Sequence, residues 1–228
     1  MSEKRNVLQK KIELIFKDTE MIIGFAKIKE GQFLEQYQSA LIIATPYTQQ
    51  LSLSNYRESV FHEGIIGARQ IVEGKVEEIE SLLKTEGIKY YIPQMAQKDD
   101  GKFRAEFSFK DAAAEAGIGW FGKNDVIVTE KYGPRVRLSA ILIDHEFDYP
   151  EPFEKSRCPD NCDKCIKVCP GHALLNVNWK KGMTRDDIID ITRCIKIRSA
   201  SYAKLGRWGD CALCFAACPY GNPDAIEK

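Results

Sequence analysis

Cys158-Pro-Asp-Asn-Cys162-Asp-Lys-Cys165-Ile-Lys-Val-Cys169-Pro170 is the stretch on which this chain turns, and Cys194 with Cys211-Ala-Leu-Cys214-Phe-Ala-Ala-Cys218-Pro219 completes it. All 8 cysteines of the 228-residue chain fall in these segments. The repeated C-x2-C-x3-C-P spacing is that of 4Fe–4S ligation, in which the fourth cysteine of one run serves the cluster of the other. Three thiolates in a tight loop can grip three irons of one cubane. The fourth, at the head of a Pro-initiated turn, points away to a second.

Crossing the runs predicts one cluster on Cys158, Cys162, Cys165 and Cys218, and another on Cys169, Cys194, Cys211 and Cys214. No cysteine is left over. The gap from Cys158 to Cys162 is one residue longer than the usual C-x2-C and reads as a small bulge. Lone Cys194 stands in for the cysteine missing just ahead of Cys211. Two other frameworks compete. Two zinc sites of four cysteines would also use all eight, although zinc ribbons have no need of the x3-C-P ending. A disulfide framework needs an oxidising compartment. Met-Ser-Glu-Lys-Arg-Asn at the N-terminus leads into an amphipathic segment rather than an apolar leader, so a cytoplasmic location is expected.

Lys plus Arg and Asp plus Glu both total 33, so net charge neither demands nor supports a polyanionic partner. No apolar run approaches the roughly 18 residues of a membrane span, and no membrane association is expected. Hydrophobic residues make up 44% of the chain, enough for a substantial core. Leu8, Ile12, Ile15 and Phe16 have helical spacing within residues 4–18. Residues 21–28 read as a strand, and the apolar run 41–47 as a buried strand ending at Pro46. A long helix is expected from Glu58 to Glu86, through Val60, Ile65, Ala68, Ile71, Val76, Ile79 and Leu83, with Gly87 stopping it. Strands follow at 88–92, 125–129 and 136–144, with a loop at 95–103 and a short Ala-rich helix at 110–116. Strands and helices thus alternate to about residue 147, and loops with short helices follow. The expected organisation is an α/β domain at 1–150 and a cysteine domain at 151–228, joined at Pro150 and Pro152.

Gly117-Ile-Gly119-Trp120-Phe-Gly122-Lys123-Asn124 contains G-x-G-x-x-G, but a dinucleotide site needs a strand before it and a helix after it. Here the order is reversed, and a glycine-rich turn that lets Trp120 pack closely explains all three glycines. Residues 116–124, then Tyr132-Gly-Pro-Arg135-Val-Arg137-Leu138, then the cysteine runs, resemble the epoxyqueuosine reductases and the reductive dehalogenases. The resemblance spans nearly the whole chain. It implies a nitroreductase-like α/β domain, related to the cobalamin-processing fold, joined to a two-cluster ferredoxin-like domain. It also implies a base-off cobalamin at the α/β domain, fed with electrons through the clusters by a low-potential donor of ferredoxin or flavodoxin type. On this reading Gly117, Gly119, Trp120, Gly122, Lys123, Asn124, Arg135 and Arg137 contact the corrinoid, or the phosphate of a flavin such as FMN. The alternative for the charged members is plain surface charge.

Two features depart from the family. Phe103 aligns where the family carries an acidic proton donor, with Asp99, Asp100 and Glu106 nearby but out of register. The chain also ends ten residues after Cys218, short of a helical-repeat extension that helps hold tRNA, which argues against tRNA as a partner. A proton donor must lie within reach of substrate. Among Tyr47, Tyr56, His62, Tyr90 and Tyr91, Tyr47 is the preferred candidate because it follows the second strand, with packing as the competing role for each. His145 and His172 read as structural or solvated. The expected activity is an iron–sulfur oxidoreductase acting on a small or modified-nucleoside substrate. The rival readings are an electron carrier or reductive activator of a partner (corrinoid) protein, and a flavin-binding reductase.

Overall fold

The computed structural model describes residues 2–94, 105–205 and 211–222. They form a mixed α/β structure whose contacts divide the chain into two compact units. The first takes residues 1–45, 69–118 and 137–152, and the second takes 46–68, 119–136 and 153–228.

The first unit is organised by a four-stranded sheet in the order β1 (Ile22–Lys27), β2 (Ser39–Pro46), β6 (Val136–Ile143), β3 (Tyr90–Tyr91). β1 pairs antiparallel with β2, Ile22 facing Ala44, and β3 pairs antiparallel with β6, Tyr90 facing Ile143. Residues Ala40 to Ala44 of β2 are all fully buried, as an apolar run without alternation requires. Helix α1 (Ser2–Phe16) buries Leu8, Ile12 and Phe16, and α2 (Glu58–Thr85) contributes Val72, Ile79 and Leu83 to the same core. The expected Ile71 is instead half exposed, because the phase of the helix turns Val72 inward.

Helix α3 (Phe109–Glu115) is capped by Ser108, whose hydroxyl accepts from the Asp111 amide. It ends where Gly117 takes a positive φ of 65°. Gly24 of β1 lies so close to this region that a Cβ would run into the Ala116 carbonyl oxygen. Gly24→Ala is therefore expected to destabilise the protein by about 1–3 kcal/mol, the usual cost of overpacking, read as a lower urea midpoint.

In the second unit the middle of the glycine-rich stretch forms a short strand. β4 (Trp120–Phe121) pairs antiparallel with β5 (Ile127–Val128), so the expected strand 125–129 is shorter and has an unforeseen partner. Gly119 permits this pairing, since a Cβ there would meet the Val128 carbonyl. The expected strand 88–92 likewise contracts to Tyr90–Tyr91. The cysteine region holds two four-residue helices, α4 (Lys164–Lys167) and α6 (Leu213–Ala216), and a 15-residue helix, α5 (Ile191–Leu205). Among the described residues no helix is long and apolar enough to cross a membrane.

Candidate functional site

The two cysteine runs fold into the same local device. Cys165 rides on α4 and Cys214 on α6, each helix ends in an αR residue (Val168, Ala217), and the Cys-Pro step follows. Cys194 is presented by α5, its amide donating to the Asp190 carbonyl at 3.2 Å. None of the eight is joined in a disulfide among the described residues.

Tertiary folding gathers them into two neighbourhoods. Cys158, Cys162, Cys165 and Cys218 line one pocket, with Lys123, Asn124, Val128, Lys164, Pro219 and Tyr220 as the other walls. Cys169, Cys194 and Cys214 pack on Ala173, Leu174 and Ile189, and Cys211 lies within the electrostatic reach of Cys214. Cys165 touches both groups. Among the described residues no three His, Cys, Asp or Glu side chains converge on one point as a single metal ion would need. A cubane holds its ligands at separate corners and makes no such demand. Burial pushes the Cys165 thiol up to about 12 and Cys218 to about 11, and neighbouring cysteinates add to the effect at both. Cys214 is raised well above its usual value, again by burial first. Burial therefore favours the neutral thiols here, and a metal centre that takes them as thiolates would have to offset that cost.

A second observation shows that the pocket fits such a centre. Trp120, 1% exposed, packs with Cys158 and Cys218, and its indole N–H is buried with no hydrogen-bond partner among the described residues. Buried donors are nearly always paired. A sulfur-rich anionic centre held by these cysteines would offer an acceptor.

Lys123, Asn124 and Arg135 are buried, which overturns the surface-charge alternative. Lys123 donates to the carbonyls of Asp160 (2.8 Å) and Cys162 (3.0 Å) and to Asn176 Oδ1 (3.1 Å). The Asn124 amide donates to the Cys214 carbonyl at 3.4 Å. The Arg135 guanidinium reaches the carbonyls of Leu51, Ala216, Cys218 (2.9 Å) and Tyr220 (2.7 Å). All three side chains thus hold the backbone of the cysteine loops. Gly133, at φ 58°, allows the second run to close, because a Cβ there would collide with the Tyr220 carbonyl. Arg137 is half-buried on β6.

The candidate acids are placed as follows. Tyr47 sits edge-on to Phe61 at 5.8 Å, beside Gly64, in an apolar cluster with Leu51 and Ala216. Tyr56 accepts the Ala212 amide at 3.0 Å, and burial pushes its phenol up to about 12. Tyr90 donates to Glu80 and Tyr91 to Glu106, so those hydroxyls are engaged on carboxylates. His62 is half-buried on α2, His145 stacks edge-on with Phe147, and His172 is exposed. Phe103, Asp99 and Asp100 lie outside the described residues. Tyr220 escaped notice in the sequence. It lines the pocket, packs on Trp120 at 5.0 Å and donates to the Arg157 carbonyl. Its position directly after Cys218-Pro219 was the available signal.

No family model matches the chain. Solved structures that share this fold include reductases. Among them is the epoxyqueuosine reductase of Bacillus subtilis, with a TM-score of 0.64 at 20% identity over 97% of this chain and 66% of that one. Sequence homologues carry the same names. An epoxyqueuosine reductase of Cyclobacterium marinum is 28% identical over 120 residues, 48% of this chain and 36% of the relative. A tetrachloroethene reductive dehalogenase of Dehalobacter restrictus is 29% identical over 124 residues, 48% of this chain and 21% of the relative. The matched region is thus little more than a third of these relatives' length at most.

Proposed function

We propose that this chain is an iron–sulfur oxidoreductase of the epoxyqueuosine reductase type. The carrying observation is the assembly of Cys158, Cys162, Cys165 and Cys218 around one pocket, with Cys169, Cys194, Cys211 and Cys214 as the second neighbourhood. Each set is suited to one 4Fe–4S cluster in a ferredoxin-like module, and a nitroreductase-like α/β module would take a cobalamin. When bound, the clusters supply single electrons from a low-potential donor and the cobalamin supplies the reductive chemistry. Support for the cobalamin comes from a reductive dehalogenase of this fold whose dehalogenation is described as B12-dependent.

The residues of this chain have distinct parts in that scheme. Lys123, Asn124 and Arg135 hold the cysteine loops in shape, which supports a part at the clusters rather than at a corrinoid. Gly117, Gly119, Trp120 and Gly122 shape the turn in front of them. Arg137 and Tyr47 are the candidates for cofactor contact and proton donation. An epoxyqueuosine reductase of this fold has been solved with a tRNA stem loop. For this chain the proposed substrate is a small molecule or modified nucleoside.

The test is an anaerobic titration of cluster-reconstituted protein with hydroxocobalamin, followed by desalting and an absorption spectrum. Retention of a base-off corrinoid is the expected result. Clean loss of the corrinoid with both clusters intact would overturn the cobalamin assignment in favour of an electron carrier. A yellow cofactor released by acid would point to flavin instead.

A further inference from the structure

We propose that Lys123 is the electrostatic partner of the cluster held by Cys158, Cys162, Cys165 and Cys218, pinning the first cysteine loop and holding that cluster's reduction potential up. The inference rests on the cluster reading above and goes beyond it by giving one buried cation a redox task.

The argument starts from the cost of burying a charge. An ammonium taken out of water is expensive unless an anion compensates it. Lys123 is 3% exposed, and its three hydrogen bonds all end on uncharged oxygens, those of Asp160, Cys162 and Asn176. An ammonium has three N–H donors. Those bonds use them all and leave the charge itself without a carboxylate in contact among the described residues. Yet the wall of the pocket that Lys123 lines carries four thiols.

A 4Fe–4S centre on four thiolates is an anion that becomes more negative on reduction. Net charge and hydrogen bonding are among the terms that set its potential. A cation fixed beside it, in a pocket of low effective dielectric, stabilises the reduced form more than the oxidised form. The two contacts to Asp160 and Cys162 also fix the backbone of the longer Cys158–Cys162 loop. Arg135 adds to the same field at Cys218. Loss of Lys123 alone is therefore expected to shift the potential rather than to release the cluster. Lys164 also lines the pocket but is exposed, where solvent screens its charge.

The test is a dithionite redox titration of the anaerobically reconstituted full chain, followed by electron paramagnetic resonance without cobalamin. Lys123→Met is expected to lower one of the two midpoints by about 59 mV, a roughly tenfold weaker reduction equilibrium for one electron. The other midpoint stays, and Lys123→Arg restores the first. Unchanged midpoints in Lys123→Met at full iron content would overturn the proposal, as would an equal fall in Lys123→Arg. If Lys123→Met fails to load the first site, Lys123→Gln and Lys123→Arg decide. A lowered midpoint in iron-loaded Lys123→Gln that Lys123→Arg does not share supports the charge role, whereas an unchanged midpoint, or loss of iron from both, overturns it. Wild-type protein that takes up no iron or sulfide would sink the cluster reading itself, so the two failures are separable.

Discussion

Cys218→Ala is expected to leave the reconstituted protein with about four iron atoms per chain in place of about eight, and to empty the same site as Cys158→Ala. Sequence proximity alone would group Cys218 with Cys211 and Cys214, which lie in its own run. In the folded chain Cys218 shares a pocket with Cys158, Cys162 and Cys165, and its thiol feels charge on Cys158 and Cys162. The decisive comparison uses double variants, since substitutions in one shared site are not additive. Cys158→Ala with Cys218→Ala should lose no more iron than either alone. Cys211→Ala with Cys218→Ala should lose nearly all of it. Iron and acid-labile sulfide analysis reads both outcomes, and the reverse pattern would show that each run binds its own cluster.

Arg135→Met should cost on the order of 3–5 kcal/mol of unfolding free energy, measured by urea denaturation under anaerobic conditions. Arg135 is 6% exposed and donates to four carbonyls, of which those of Ala216, Cys218 and Tyr220 belong to the second cysteine run. Hydrogen bonds to a charged group contribute about 1.5–3 kcal/mol each, and a buried acceptor left unpaired costs about 1–3 kcal/mol. Non-additivity and local water entry keep the total below the simple sum. Arg135→Lys should recover little, because a single ammonium cannot span carbonyls that a planar fork of five donors reaches together. A loss below about 1 kcal/mol would mean that water replaces the guanidinium without strain.

Parts of this fold are legible without coordinates. The inward face of α1 is written as Leu8, Ile12 and Phe16, and the buried strand β2 as an apolar run, because period 3.6 and continuous burial are local properties. The stop of α2 before Gly87 is local too, since that glycine holds a φ of 68°. The strand at Trp120–Phe121 is not legible in this way. Three glycines within six residues speak for a turn, and only the pairing with Val128 and Ile127 makes a strand of it.

The same limit explains why the charged residues stayed open between a cofactor contact and plain surface charge. Lys123 and Arg135 carry full charge and look like surface in any local window. Their burial depends on carbonyls 37 to 85 residues away in sequence. By itself the sequence determined the donor chemistry, eight cysteines in two Pro-terminated runs, and the helical and strand periods of the segments before them. Only the tertiary structure decided that residues 46–68 and 119–136 join the cysteine-bearing unit. The physical reason is that the loops expose backbone carbonyls which no local partner satisfies, and buried polar groups must be paired by whatever the fold brings to them.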